Sequence, residues 1–187
     1  MIMKRYPQFA LKFDHSEIEE LAKRYRFADD TGALNAGKKL LDGEYGVENL
    51  KEIVRWKSAR RIGLIEKNDR SVLANTLKYA TSLDVPVKTA IEVLDGLDGI
   101  GIPMASAILT MARPEFYTII DFRALEALGV TKWSKTSAYY EAYLRACCEL
   151  SNQYKTTLRT LDRALWQWSW ERSERKRRRC RYAAHQS

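Results

Sequence analysis

Two apolar helical segments joined by a short glycine turn constrain the fold of this chain more than any other feature. The turn spans residues 97–101 and reads LDGIG, with an apolar helical pattern on either side of it. Pro103 follows the turn, where its fixed φ and missing N–H suit the first turn of a helix. The sequence therefore predicts a helix, a hairpin turn and a second helix over about residues 90–112.

Helical periodicity continues through most of the remaining chain and predicts an all-α fold. The nine Gly and four Pro also favour helices over a sandwich or barrel. The only extended candidate is a brief one, over residues 117–120. The other predicted helices cover residues 16–27, 34–41, 47–58, 69–82, 139–150 and 158–172.

The charge balance is compatible with nucleic acid or an acidic membrane surface as a partner. The net charge is +8, and residues 171–182 hold seven Lys/Arg against two Glu, a net +5 that leaves +3 for the rest of the chain. Three Cys do not make a disulfide framework, and a reducing cytoplasm fits them best. No apolar run approaches 18 residues, so we expect no membrane-spanning helix.

The turn glycines, Gly99 and Gly101, permit a close approach of the backbone to a ligand. Glycine adopts φ > 0 without strain, and the N-terminus of the following helix presents unpaired N–H groups that favour an anion. A phosphodiester is the natural ligand, and such a contact reads the backbone of DNA and not its bases. The alternative interpretation is a tight turn between two packed core helices.

Asp121 lies twenty residues beyond Gly101 and precedes a further apolar helical segment. Asp is a favoured N-cap, so a structural role alone would account for this residue. The two carboxylate oxygens can nevertheless serve different purposes. A carboxylate fixed in a dry cleft stabilises positive charge that develops in a transition state. Asp121 is therefore our candidate catalytic residue.

Residues 94–129, with the LDGIG turn and the sequence IIDFRALEALG around Asp121, resemble the helix-hairpin-helix DNA glycosylase superfamily, whose fold is that of endonuclease III. Asp121 matches the family's catalytic aspartate at the family's spacing from the hairpin. The resemblance implies an all-α, two-lobed fold with the active site in the cleft between the lobes. It also implies DNA contacts by the hairpin residues Gly99, Ile100, Gly101, Met104 and Ser106.

Two departures from the family narrow the expected chemistry. Bifunctional members carry a Lys in the second helix of the hairpin, and Pro103 takes that place here, which excludes a Schiff-base lyase at that position. Members with an iron–sulfur cluster carry four C-terminal Cys, whereas this chain has three in all. The resemblance thus implies a cluster-free, monofunctional glycosylase without a cofactor, with room for a monovalent cation at the hairpin. No metal-ligand spacing is evident.

The resemblance also implies a division of the chain. Residues 1–187 form one glycosylase-like unit, in which residues 30–129 make the central lobe. Residues 1–29 and 130–187 make the second lobe, which carries the basic tail 171–182.

Aromatic and basic side chains supply candidates for the rest of a DNA site. A base inside a duplex must be flipped out before it is excised, and it then needs a stacking pocket. Core packing, a solvated charged face and an ion pair of Arg123 with Glu126 are the alternative roles of these residues. The base-pocket candidates are Trp56, Tyr117, Arg123 and Trp166, and the phosphate-contact candidates are Lys57, Arg60 and Arg61.

The expected activity is hydrolysis of the N-glycosidic bond of a damaged or modified base, which leaves an abasic site. Uracil or mismatched thymine, an alkylated purine and a hypermodified phage cytosine all remain open as targets, the last implying antiviral defence. The alternatives are a non-catalytic module that binds DNA, and a nuclease that cuts the strand directly. We expect a monomer that binds double-stranded DNA, associates with the nucleoid and does not bind a membrane.

Overall fold

The computed structural model describes residues 6–184, with side chains described as far as residue 178, and within this range it is all-helical and contains no strand. Single turns of 3-10 helix cover His15–Glu17 and Ala59–Arg61. The α-helices are α1 (Ile18–Lys23), α2 (Thr31–Leu41), α3 (Val47–Ser58), α4 (Ile62–Ile65), α5 (Arg70–Ala80), α6 (Val87–Asp95), α7 (Ile102–Ala112), α8 (Phe122–Ala127), α9 (Ser137–Gln153) and α10 (Leu158–Ala184).

Helix α7 is the centre of the packing. Every residue of this helix except Pro103 is buried, which agrees with its almost uninterrupted apolar sequence. It packs against α2, α3 and α6. The approach of α2 is so close that a Cβ on Gly37 would lie 2.1 Å from the carbonyl oxygen of Met111. Gly37 is therefore required for this helix pair to meet.

The long helix α10 organises the other packed group. It contacts α1, α8 and α9, and α9 in turn reaches α6. The predicted apolar stripe on α10 is confirmed, because Leu158, Leu161 and Leu165 are buried and Trp168 packs against the core. Helix α8 is therefore held on α10, and its N-terminus carries Asp121.

The predicted helix pair around the glycine turn is confirmed as α6 and α7. Other parts of the structure differ from the expectations, beginning with the first helix, which ends at Lys23 and not near residue 27. Residues 117–120 are irregular, and the short helix α4 was not foreseen. Helix α10 runs to Ala184 rather than ending near residue 172, because charged pairs such as Arg177 with Glu174 support its exposed end.

Residues 1–5 and 185–187 of the predicted unit lie outside the described residues, as do the side chains of residues 179–182 in the basic tail. None of the described helices combines the length and the apolar character needed to cross a membrane.

Candidate active site

A cleft of about 570 Å³ brings together most of the residues predicted to form a site. The turn between α6 and α7, the end of α3, the N-terminus of α8 and the middle of α10 all contribute to it. Its lining comprises Arg26, Phe27, Lys57, Ser58, Arg60, Arg61, Gly99, Gly101, Pro103, Met104, Asp121, Phe122, Arg123, Trp166 and Trp170.

The two carboxylate oxygens of Asp121 have separate partners. Oδ1 accepts hydrogen bonds from the backbone N–H groups of Arg123 and Ala124, each at 3.0 Å. Oδ2 lies 2.9 Å from Nζ of Lys57. Asp121 is thus the N-cap of α8 through one oxygen, while the other oxygen takes part in an ion pair in the cleft.

The environment keeps Asp121 ionised. Burial alone would raise the pKa of Asp121, because it disfavours the charged form. The positive charge of Lys57 and the two backbone N–H groups outweigh burial, and the net effect is a pKa below the usual value. The carboxylate is therefore available as a fixed negative charge at neutral pH.

Three side chains hold the irregular segment that leads to Asp121. The hydroxyl groups of Tyr140 and Tyr143 donate to the carbonyl oxygens of Thr118 and Ile119, both at 2.9 Å. The backbone N–H of Ile120 donates to Oγ of Ser106 at 3.2 Å. These buried bonds replace the backbone pairing that a strand would supply, so the position of Asp121 is fixed from both sides.

The turn between α6 and α7 is held in one conformation. Gly99 has φ +81°, and a Cβ there would lie 2.8 Å from Cβ of Leu64 on α4. Asn68 fixes the same turn, since its amide accepts from the backbone N–H of Asp98 at 2.8 Å and donates to its carbonyl at 3.0 Å. Gly101 differs from Gly99: its backbone is extended, and it caps α7 at the edge of the cleft.

Several predicted DNA contacts have other surroundings in the structure. Ser106 and Ile100 are buried, and the Ser106 hydroxyl donates to Pro103 as well as accepting from Ile120. Lys57 faces Asp121 rather than open solvent. Of the predicted basic residues, Arg60 and Arg61 are exposed at the rim of the cleft. Met104 lines the cleft but is largely buried.

The four base-pocket candidates divide into two pairs. Trp166 and Arg123 line the cleft, with the guanidinium of Arg123 5.1 Å from the centre of the Trp166 ring. Tyr117 is buried away from the lining. Trp56 packs edge-on against Phe27 at 5.2 Å, and its buried Nε1 has no hydrogen-bond partner among the described residues. Trp56 therefore packs behind Phe27 and does not itself line the cleft.

Several other residues that line the cleft were not among the predicted site residues. Phe27 meets Trp166 edge-on at 5.4 Å, and Trp170 stacks with Trp166 at 6.4 Å. Phe122, directly after Asp121, is 65% exposed. A large apolar side chain at the start of a helix, next to the candidate carboxylate, was the available signal for Phe122.

A charged cluster lies behind the aromatic side chains that line the cleft. Asp30 accepts from Arg163 at 2.8 Å and also from Arg159, which pairs in turn with Asp162. Burial raises the pKa of Asp162 to about 6, and the nearby charge of Asp121 adds to the effect against the attraction of Arg159. This cluster joins α10 to the start of α2.

Neither a metal site nor a known relative provides further evidence about this cleft. Among the described residues, no three His, Cys, Asp or Glu side chains are grouped closely enough to hold a metal ion. Searches with protein-family models, among curated proteins and among solved structures found no match to this chain.

Proposed function

We propose that this protein is a helix-hairpin-helix DNA glycosylase, which removes a damaged or modified base from double-stranded DNA and leaves an abasic site. In this proposal α2 to α8 belong to the central lobe, α1, α9 and α10 belong to the second lobe, and the cleft between them holds the DNA. The observation that carries the proposal is the position of Asp121, a partly buried carboxylate that Lys57 and two backbone N–H groups keep ionised, in the same cleft as Gly99 and Gly101.

The chemistry follows from the charge of Asp121. Breaking an N-glycosidic bond builds positive charge on the sugar. A carboxylate held in place by two backbone N–H groups through one oxygen can stabilise that charge with its other oxygen, and it can also orient water. Removing one preorganised electrostatic group of this kind costs about 3–4 kcal/mol in the transition state, or roughly 10²–10³ in rate.

The remaining surfaces of the cleft suit a flipped base and its flanking phosphates. Trp166 and Trp170 offer stacking faces, and base–aromatic stacking is worth about 1–3 kcal/mol. The exposed ring of Phe122 has the size needed to fill the gap that a flipped base leaves in the duplex. Arg60 and Arg61 supply positive charge at the rim for phosphate contacts.

An abasic-site assay tests the proposal. Wild-type and Asp121→Asn proteins meet duplexes containing normal, damaged and phage-modified bases, and strand breaks are read after treatment with alkali. Breaks with wild type alone would support the proposal and identify the base, because Asn retains the N-cap but loses the charge. Melting curves of both proteins show whether the substitution leaves the fold intact.

One observation favours a second candidate function. Both oxygens of Asp121 already have partners in the free protein, as expected if the residue is purely structural. A non-catalytic module that binds DNA through the hairpin would then bind DNA equally well with Asp121→Asn. Tight binding by both proteins, with no base released from any duplex, would favour this candidate.

A further inference from the structure

A second groove adjoins the cleft, and base excision itself makes no use of it. The groove encloses about 300 Å³, and Arg26 and Trp170 line both the groove and the cleft. Arg24, the residue that ends α1, also lines it. The remaining lining residues follow one another at helical spacing on α10 and share one face with Trp170: Gln167, Glu171, Glu174, Arg175 and Arg178. We call this feature the α10 groove.

A buried glutamine joins the two sides of the α10 groove. Gln167 is only 1% exposed, and its Oε1 accepts from the backbone N–H of Arg26 at 3.1 Å. Its Nε2 donates to Glu171 at 2.9 Å, and Glu171 pairs in turn with Arg24 at 3.1 Å. The segment after α1 is therefore tied to α10 by side-chain hydrogen bonds, which give the groove a defined shape without a ligand.

The α10 groove carries an excess of positive charge. Its lining contains four arginines and two glutamates. Both glutamates already have an arginine partner, at 3.1 and 2.8 Å, so neither leaves its negative charge uncompensated. Three of the lining arginines are exposed and form no ion pair within the part of the chain whose side chains the structure describes: Arg26, Arg175 and Arg178. The groove therefore offers three positive charges to an anionic ligand.

An aromatic ring beside these arginines distinguishes between the possible polyanions. Phosphates of any nucleic acid attract arginine, but only a single strand leaves the faces of its bases free to stack on an aromatic side chain. Trp170 supplies such a ring where the groove meets the cleft. A strand that leaves a duplex in the cleft would meet Trp170 first, and then Arg175 and Arg178 one and two turns further along α10.

The continuity of the two lining surfaces points to a single ligand that occupies both. We propose that the α10 groove binds a single strand of DNA that continues from the duplex in the cleft. This inference rests on the proposed glycosylase function and names its substrate class, a duplex whose target base lies close to a single-stranded segment. From Gln167 to Arg178 the helix rises about 17 Å, a path for roughly five nucleotides at about 3.4 Å each.

Tailed duplexes test the inference. The protein is titrated, by fluorescence anisotropy, against one unmodified duplex that is blunt or carries a thymidine tail of about eight nucleotides, longer than the path, at its 5′ or its 3′ end. A strand can enter the groove from the cleft in one direction only, so one polarity of tail should help. We expect that tail to tighten binding at least about fivefold, the contribution of one weak base–aromatic stack.

The salt dependence of wild type gives a check that needs no variant. Each arginine that contacts a phosphate of a single strand adds about 0.7 to the slope of log K against log salt. Three such contacts should make the slope for the favoured tailed duplex steeper than that for the blunt duplex by about 2. Equal slopes for the two duplexes would overturn the inference.

Matched double variants locate the effect on α10. Arg175→Ala with Arg178→Ala removes two charges from the groove, and should remove most of the gain and about 1.4 of the difference in slope. Arg172→Ala with Lys176→Ala removes the same charge from α10 outside both the groove and the cleft, and should keep the whole gain. All four side chains are exposed, so both variants should fold, and melting curves confirm it.

The stacking contact has a test of its own. Trp170→Phe keeps an aromatic face and should keep most of the gain from the tail, whereas Trp170→Leu should lose it. The measured quantity is the ratio of tailed to blunt affinity, so any effect on the cleft cancels. A tail of the same length built without bases keeps the phosphates but cannot stack. Binding of that tail as tight as that of the thymidine tail would overturn the assignment of the groove to a single strand.

The outcomes separate this inference from the proposed function. Equal wild-type affinities for tailed and blunt duplexes, or a gain that survives the loss of Arg175 and Arg178, would overturn the inference and leave the glycosylase proposal standing. A gain that depends on these arginines, without base release from any duplex in the abasic-site assay, would support the inference and count against base excision.

Discussion

The ion pair between Lys57 and Asp121 makes a strong prediction about stability. Lys57→Met leaves the ionised carboxylate of Asp121 in a site where only 16% of its side chain is exposed. Removing one partner of a buried pair costs about 3–5 kcal/mol. In a chain of this length, each kcal/mol corresponds to about 2–4 °C in Tm. We therefore expect Lys57→Met to lower Tm by roughly 6–20 °C.

Asp121→Asn should cost less than Lys57→Met, because Asn remains a good N-cap for α8 and a lysine can extend its amine towards water. The double variant leaves neither charge unpaired, so its loss should be smaller than the sum of the two single losses. We expect a coupling free energy of about 2–3 kcal/mol, at the upper end for residues in contact.

The measurement is urea denaturation of wild type, the two single variants and the double variant at pH 7 and fixed ionic strength. Additivity within about 0.5 kcal/mol would refute the reasoning, because independent sites behave in that way. A pH series adds a second check. The pKa of Asp121 is lowered on folding, so the stability it contributes should be present at neutral pH and disappear as the pH falls through the lowered pKa.

Three other perturbations have defined outcomes. Gly99→Ala should lower the free energy of unfolding by about 1–2 kcal/mol from its positive φ alone, whereas Gly101→Ala should stay within about 0.5 kcal/mol of wild type yet weaken DNA binding in a titration. Replacing Arg60 and Arg61 by Ala should reduce the slope of log K against log salt by about 1.8, and an unchanged slope would exclude them as phosphate contacts. The pKa of Asp162 is raised to about 6, so in pH-dependent denaturation the stability of wild type relative to Asp162→Asn should fall between about pH 4 and 6 and then level off.

Local patterns in the sequence were sufficient to predict the hairpin between α6 and α7 and the N-cap of α8 at Asp121. The apolar spacing around the turn, with Pro103 behind it, depends on neighbours within a few residues. The cap at Asp121 depends on the backbone N–H groups of Arg123 and Ala124, two and three residues further along the chain. Both features were predicted from the sequence, and the structure has them where they were expected.

The ion pair between Oδ2 of Asp121 and Lys57 depends on contacts between distant parts of the chain. Lys57 is 64 residues away, and its pairing with Asp121 is set by how α3 packs on α7 and α4. Neighbouring residues on a helix point in directions about 100° apart. Trp56 therefore packs behind Phe27, whereas Lys57 lines the cleft. A sequence pattern alone gives no measure of that rotation.

The three hydrogen bonds that hold residues 118–120 also bear on the dynamics of the site. They come from α7 and α9, and each of their side chains is itself buried in the core. The amide of Ile120 can therefore exchange its hydrogen with water only when core packing is lost, and not through local fraying. We therefore expect the segment before Asp121 to open as slowly as the helical core around it, although it lacks regular secondary structure.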